Sequence, residues 1–237
     1  MPLWGTLRPG DSIGVCDASI KYDPNGLLEV SDPYSSEKLV VRGQIGVLPA
    51  PPTRRPFDLG PTVYVEFTHK IFVEKGDLLW ATIPVEVELR KKGRPIVRLA
   101  TVKSKYTLVG SLVEGVIARY WRAEPIVGSN PPYSSLDRDC MALVAFYISE
   151  GADIIRGVPF NLGQTMIYTD NGGRLYFTLV EVSIKDAIIE AKTTSKPPTY
   201  GLKPLRKVSE GRGAVLGGYG PVVVVNRGWR LWPGLKT

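Results

Sequence analysis

One histidine, His69, and two cysteines, Cys16 and Cys140, are all that this 237-residue chain holds of the softer metal-binding side chains. That excludes a multi-histidine metal centre and any mechanism needing two imidazoles. Two thiols are also too few for a disulfide framework or a thiolate zinc cage. Labile side chains are scarce too, with five asparagines, two glutamines and three methionines set against 20 prolines. Few thermolabile groups and many prolines point to a thermophile. In such cells an intracellular Cys16–Cys140 disulfide is permitted, although two buried free thiols are the simpler expectation. No long hydrophobic run occurs: the most apolar stretch, Cys140 to Ile148, falls far short of the ~20 residues that span a bilayer. The first ten residues lack both the basic start and the apolar stretch of a secretory signal. A cytoplasmic chain with no transmembrane segment is expected.

What is present is enough hydrophobic sequence, 43%, for one large domain or at most two small ones. Its 25 glycines and 20 prolines make up about a fifth of the chain, below the roughly 25–30% of low-complexity polymers. The net charge of +7 is unevenly placed. Residues 1–195 balance 22 Lys/Arg with 22 Asp/Glu, so the whole excess lies in the last 42 residues, where eight cations face Glu210 alone. Eight glycines and the aromatics Tyr200, Tyr219, Trp229 and Trp232 share that segment. The composition changes at Lys196-Pro197-Pro198, which divides a neutral body, 1–195, from a basic, partly docked extension, 196–237.

The body reads as strands. Ile83, Val85, Val87 and Leu89 alternate with Pro84, Glu86 and Glu88, which predicts one apolar face and one solvent-facing carboxylate face. Val63, Val65 and Phe67 repeat the pattern, as do Leu39, Val41, Ile45 and Val47, with Gly43 suggesting a bulge. Met141 to Ile148, apolar on both faces, fits a strand central to a packed sandwich. Glu74-Lys75-Gly76-Asp77 and Asp170-Asn171-Gly172-Gly173 read as hairpin turns, and Lys91-Lys92-Gly93-Arg94 joins two further strands. Ser183 to Lys192 places Ile184, Ala187, Ile188 and Ala191 at helical spacing, with Ser183 and Asp186 as a capping box, and so predicts a short helix. Around Ser111 to Trp121, Gly115 and the β-branched content favour a loop followed by a strand. The Pro-rich Leu48 to Pro56 reads as a connection. The fold class expected is all-β: an antiparallel β-sandwich, immunoglobulin-like or jelly-roll-like, with at most one or two short helices.

Lys105 to Ser111, continuing through Glu114-Gly115-Val116-Ile117-Ala118-Arg119-Tyr120-Trp121, resembles an archaeal domain-of-unknown-function family, number 432. The pattern from Phe72 to Val87 is similar to that family as well. The resemblance implies an archaeal, β-rich protein and assigns no catalytic residue, cofactor or partner.

No constellation asks for an enzyme. There is no Walker ending, and Gly211-Arg212-Gly213-Ala214-Val215-Leu216-Gly217 misses the dinucleotide fingerprint by one position and precedes an apolar run. A phosphate-cradling nest at those glycines competes with a plain loop, and the loop is favoured. His69 is the only base a hydrolase triad would have, and its strand-like neighbours suit an ordinary sheet histidine. Asp137 with Asp139, or Glu86 with Glu88, have no metal-binding spacing. No catalytic residue, metal or cofactor is therefore assigned.

The basic extension is the strongest functional signal. Clustered cations attract anionic polymers by counterion release, and exposed aromatics stack on unpaired bases. The expectation is a non-enzymatic module that binds RNA or a ribonucleoprotein surface. Phosphate contacts would come from Lys203, Arg206, Lys207, Arg212, Arg227 and Arg230, with stacking from Tyr219 or Trp229. Arg119 to Arg122 and Lys91 to Arg94 would extend the surface if the fold brings them to one side. Val222–Val225, too apolar for open water, should dock as an edge strand. An alternative is protein–protein or homo-oligomer assembly, with that valine run augmenting a neighbour's sheet. A third is a carbohydrate or other ligand site with Trp80, Trp121 or Tyr133 as its platform.

Overall fold

The computed structural model describes residues 4–52, 62–109, 116–132, 140–186, 188–209 and 222–225. Among them there is no helix, and the fold is an all-β sandwich of mainly antiparallel strands. After β1 (Gly5–Leu7), a meander runs through β2 (Ser12–Val15), β3 (Ala18–Tyr22), β4 (Leu27–Asp32) and β5 (Ser35–Val40), and β6 (Ile45–Ala50) returns beside β1. Next come the long β7 (Thr62–Glu74), β8 (Leu78–Pro84), β9 (Glu86–Lys91) and β10 (Arg94–Leu99). β11 (Lys105–Val109), β12 (Val116–Ala123) and the short β13 (Ile126–Val127) follow. The remainder is β14 (Met141–Glu150), β15 (Ala152–Asn161), β16 (Gln164–Thr169), β17 (Leu175–Phe177), β18 (Val180–Lys185), β19 (Ile188–Thr193), β20 (Lys203–Ser209) and β21 (Val222–Val225).

Two hydrophobic cores result. The sheet β1-β6-β9-β10 packs on the meander β2-β3-β4-β5 around Leu7, Ile20, Tyr22, Leu28, Ile45, Val87 and Leu89. The sheet β11-β12-β7-β15 packs on a nine-stranded sheet, centred on β14, around Val65, Phe67, Phe146, Val158 and Phe160. Phe146 takes edge-to-face contacts from Phe67 and Phe160, the arrangement the ring quadrupoles favour. The alternating run 83–89 serves both cores, because Ile83 and Val85 enter one and Val87 and Leu89 the other. The chain crosses between the two at Val85, whose N–H donates to the Cys140 carbonyl at 2.7 Å.

Several expectations hold. β14 is buried on both faces, with β8 on one side and β17 and β18 in parallel register on the other. The Asp170 and Lys91 turns close hairpins between β16 and β17 and between β9 and β10.

Others are corrected. Ser183 to Lys192 is not a helix but the β18–β19 hairpin, turning at Asp186 with φ of 51°. The two-residue turn between Lys185 and Ile188 sets Val182 and Ile184 against Ile189 and Ala191, so two period-two strands mimic a helical spacing. Their β-branched residues suit a pleated surface. Glu74 to Asp77 is a corner rather than a hairpin: β7 and β8 belong to opposite sheets, and Gly76 takes φ of 101°. Gly43 is likewise no bulge, since Val40 ends β5, Ile45 begins β6, and these strands lie in different sheets. Leu48–Ala50 belongs to β6 rather than to a connection. Pro49 fits there because β1 pairs only as far as Val47, so the side of β6 facing β1 needs no donor at Pro49. Cys16 and Cys140 are not free thiols but form a disulfide, with Cα atoms 6.0 Å apart. The Cys16 turn between β2 and β3 lies over the buried Cys140 at the entry to β14.

Candidate nucleic-acid interface

The extension begins as a cover. From Thr193 the chain crosses the outer face of the nine-stranded sheet, where Trp80, Tyr168 and Tyr176 form a third apolar cluster. The Tyr168 hydroxyl donates to the Ser195 carbonyl at 3.0 Å, and the Leu179 N–H to the Lys196 carbonyl at 3.0 Å. Trp80 is fully buried, and its indole N–H donates to Gly128 O at 2.9 Å. It is therefore a core residue and not a ligand platform. Trp121 is half-buried against the main core, while Tyr133 lies outside the described residues.

β20 then pairs antiparallel with β16. The register shifts at Leu205, so Lys203, Arg206 and Val208 align with Thr169, Ile167 and Thr165, while Lys207 aligns with Met166. Residues opposite one another share a face, and the bulge therefore turns Lys203 and Arg206 to one side and Lys207 to the other. Lys203 and Lys207 are exposed. Arg206 departs from the outward orientation expected of it: its guanidinium donates to Pro49 O at 2.8 Å and pairs with Glu88 at 2.7 Å.

That pair belongs to a buried ionic cluster that sequence reading missed. Glu86 and Glu88 occupy the β9 face opposite Val87 and Leu89, yet they are only 1% and 5% exposed. They are not the solvent-facing carboxylates that the alternation suggested. Arg98 on β10 and Arg119 on β12 both reach Glu86, at 2.8 and 3.2 Å, while Arg90 and Arg206 converge on Glu88. Arg119 also donates to Ser104 Oγ at 2.8 Å and stacks over the Tyr106 ring. It is thus structural and not part of an open basic patch, whereas Arg122, Lys92 and Arg94 are exposed. The alternation of 83–89 showed two faces but could not show that arginines distant in sequence cover the second.

Burial by itself would raise the Glu88 carboxyl, but the hydrogen bonds from Arg206 and Arg90 hold it below the ordinary carboxylate value. A depressed native pKa stabilises the fold fully above the unfolded value, about 4.3, and that contribution disappears as pH falls through the lower native value. Glu88→Gln should therefore flatten the acid limb of stability below about pH 4.3 while lowering the neutral plateau. Urea midpoints measured between acid and neutral pH check this.

Tyr200, which no motif singled out, is fully exposed between Lys196 and Lys203. Its only signal in the sequence was an aromatic beside prolines and glycine at the compositional boundary. Arg212, Tyr219, Arg227, Trp229 and Arg230 lie outside the described residues, as do the glycines 211–217 and Asp137 and Asp139. His69 is exposed on β7, with Nδ1 3.2 Å from Thr68 Oγ1. No helix among the described residues is long and apolar enough to cross a membrane.

Residues 3–218 match one family model, described as Protein of unknown function (DUF432). No curated protein matches the chain, and no solved structure matches it.

Proposed function

We propose that this chain, which belongs to the DUF432 family, is a non-enzymatic module that binds RNA or a ribonucleoprotein surface through its basic C-terminal segment. The observation that carries the reading is the placement of charge: every surplus cation follows residue 195, whereas in the balanced body Arg90, Arg98 and Arg119 are engaged by Glu86 and Glu88. Tyr200, Lys203 and Lys207 stand in solvent, Lys203 and Lys207 on opposite sides of β20, and an exposed ring near exposed cations suits stacking beside phosphate contacts. Arg206 is withdrawn from the contact set because it is engaged by Glu88. The scarcity of amides and the 20 prolines support a hot cellular setting.

Because β20 and β21 are strands of the nine-stranded sheet, substitution rather than truncation is the right test. In the variant K203Q/K207Q/R212Q/R227Q/R230Q, single-stranded RNA should bind more weakly. The slope of log affinity against log salt should become shallower by about 3.5. An unchanged slope would refute phosphate contact by this segment.

A second reading is favoured by one observation: β21 is the terminal strand of its sheet, paired with β19 alone among the described residues. Addition of a neighbour's strand there would give oligomers that depend on concentration and not on salt.

A further inference from the structure

Sheet β11-β12-β7-β15 covers the main core with one face and turns the other away from it. Register defines that outer face. Lys105 lies opposite Tyr120, Tyr120 opposite Tyr64, and Tyr64 opposite Pro159, forming one row across all four strands. The next row sets Arg122 beside Glu66 and Glu66 beside Gly157. Their neighbours Val63, Val65 and Phe67 point the other way, into the core.

The two tyrosines are held in place. Tyr120 donates its hydroxyl to Glu66, and its ring centroid lies 6.3 Å from that of Tyr64 at a tilt of 38°. The Tyr64 hydroxyl lies 3.0 Å from where a Cβ on Gly157 would stand. Its ring must therefore reach across the neighbouring strand, over the one residue there without a side chain. Tyr64 and Tyr120 are both half-buried, so neither is closed off from solvent.

Cations surround the pair. Lys105, Arg122 and Arg156 are exposed, and together they outnumber the carboxylate of Glu66, which accepts the Tyr120 hydroxyl. Arg156 is close enough to act on Tyr64: burial first and then Glu66 raise that hydroxyl to about 12, and Arg156 opposes both. Arg122 opposes the rise at Tyr120 in the same way, against burial and the Glu66 hydrogen bond. Further along the same face Phe72 and Ile154 form a cross-strand pair, 62% and 53% exposed. The edge strand β15 lies against β21.

We infer that the outer face of this sheet is a stacking surface for single-stranded nucleic acid, with unpaired bases on Tyr64 and Tyr120 and phosphates on Lys105, Arg122 and Arg156. The chemistry is complementary on both counts: ring faces pack on ring faces, and a local excess of guanidinium and ammonium groups meets a polyanion. An acidic peptide would satisfy the cations but leave the ring faces without a planar partner. The inference rests on the nucleic-acid reading above and adds a second surface, separate from the basic segment.

The test is fluorescence anisotropy of the full chain with a labelled oligouridine about twelve nucleotides long. Y64L/Y120L should weaken binding at least about tenfold, whereas Y64F/Y120F, which keeps both rings, should stay within about twofold. K105Q/R122Q/R156Q should make the salt slope shallower by about 2. These three side chains are exposed, so this variant decides the matter even if the leucine variant melts early. Loss in the phenylalanine variant equal to that in the leucine variant would overturn stacking. If RNA binds and responds only to the five-cation variant of the C-terminal segment, the sheet is not the surface and the broader reading survives. If the intact chain does not bind the oligonucleotide, both fail together.

Discussion

Replacing Glu86 with alanine should cost about 3–5 kcal/mol, measured as a lower urea midpoint with an unchanged m-value. The expectation follows from what the substitution leaves behind. Arg98 and Arg119 approach Glu86 from two different sheets, one belonging to each core, and Arg119 is itself 5% exposed. Without the carboxylate, two guanidinium groups remain in a region that water barely reaches. Arg98 also donates to Pro51 O at 2.6 Å and Arg119 to Ser104 Oγ at 2.8 Å, both neutral acceptors that cannot balance the charge. Uncompensated burial of charge dominates the cost, so removing the charges together should be far milder. E86L/R98M/R119M should recover much of the stability lost by E86A. If the triple variant is no more stable than the single one, the cluster acts through shape and packing rather than charge.

Opening the disulfide should produce the other large effect. Cys16 and Cys140 are 124 positions apart, and closing a loop of that length removes about 4–5 kcal/mol of denatured-state entropy on the chain model. The bridge also fastens the first β-meander to the start of β14, the strand on which the second core is built. Cys16→Ser is the cleaner variant, because Cys16 lies in an exposed turn and Cys140 in the core. C16S should lower the thermal midpoint, and so should reductant on the natural chain. Reductant should leave C16S unaffected. Equal midpoints for the natural chain with and without reductant would show that the link carries no stability. Disulfides persist inside cells chiefly in hyperthermophiles, so the oxidation state in the source cell bears directly on the thermophile reading.

The β architecture was legible because its signal is local. Val63, Val65 and Phe67 alternate because every second residue of a strand faces one side, and no knowledge of the partner sheet is needed to see it. The same reasoning failed at Ser183 to Lys192, where a tight turn joined two alternations into a false helical period. It failed again at Glu74 to Asp77, since a turn's residues do not reveal whether the strands they join will pair. Of the candidate interface, the sequence disclosed the charge imbalance and the candidate cations. It did not disclose that Arg206 turns inward while Tyr200 stays in solvent.

By itself, then, the sequence determined an all-β chain, a centrally buried β14 and a surplus of positive charge confined to its end, all properties of neighbouring residues. Only the tertiary structure decided that Glu86 and Glu88 are buried, that Cys16 meets Cys140, and that Tyr64 and Tyr120 share an outward face beside Arg122 and Arg156. Burial, pairing and facing depend on strands distant in sequence coming together. A carboxylate on an alternating strand looks alike in sequence whether water or an arginine from another sheet lies above it.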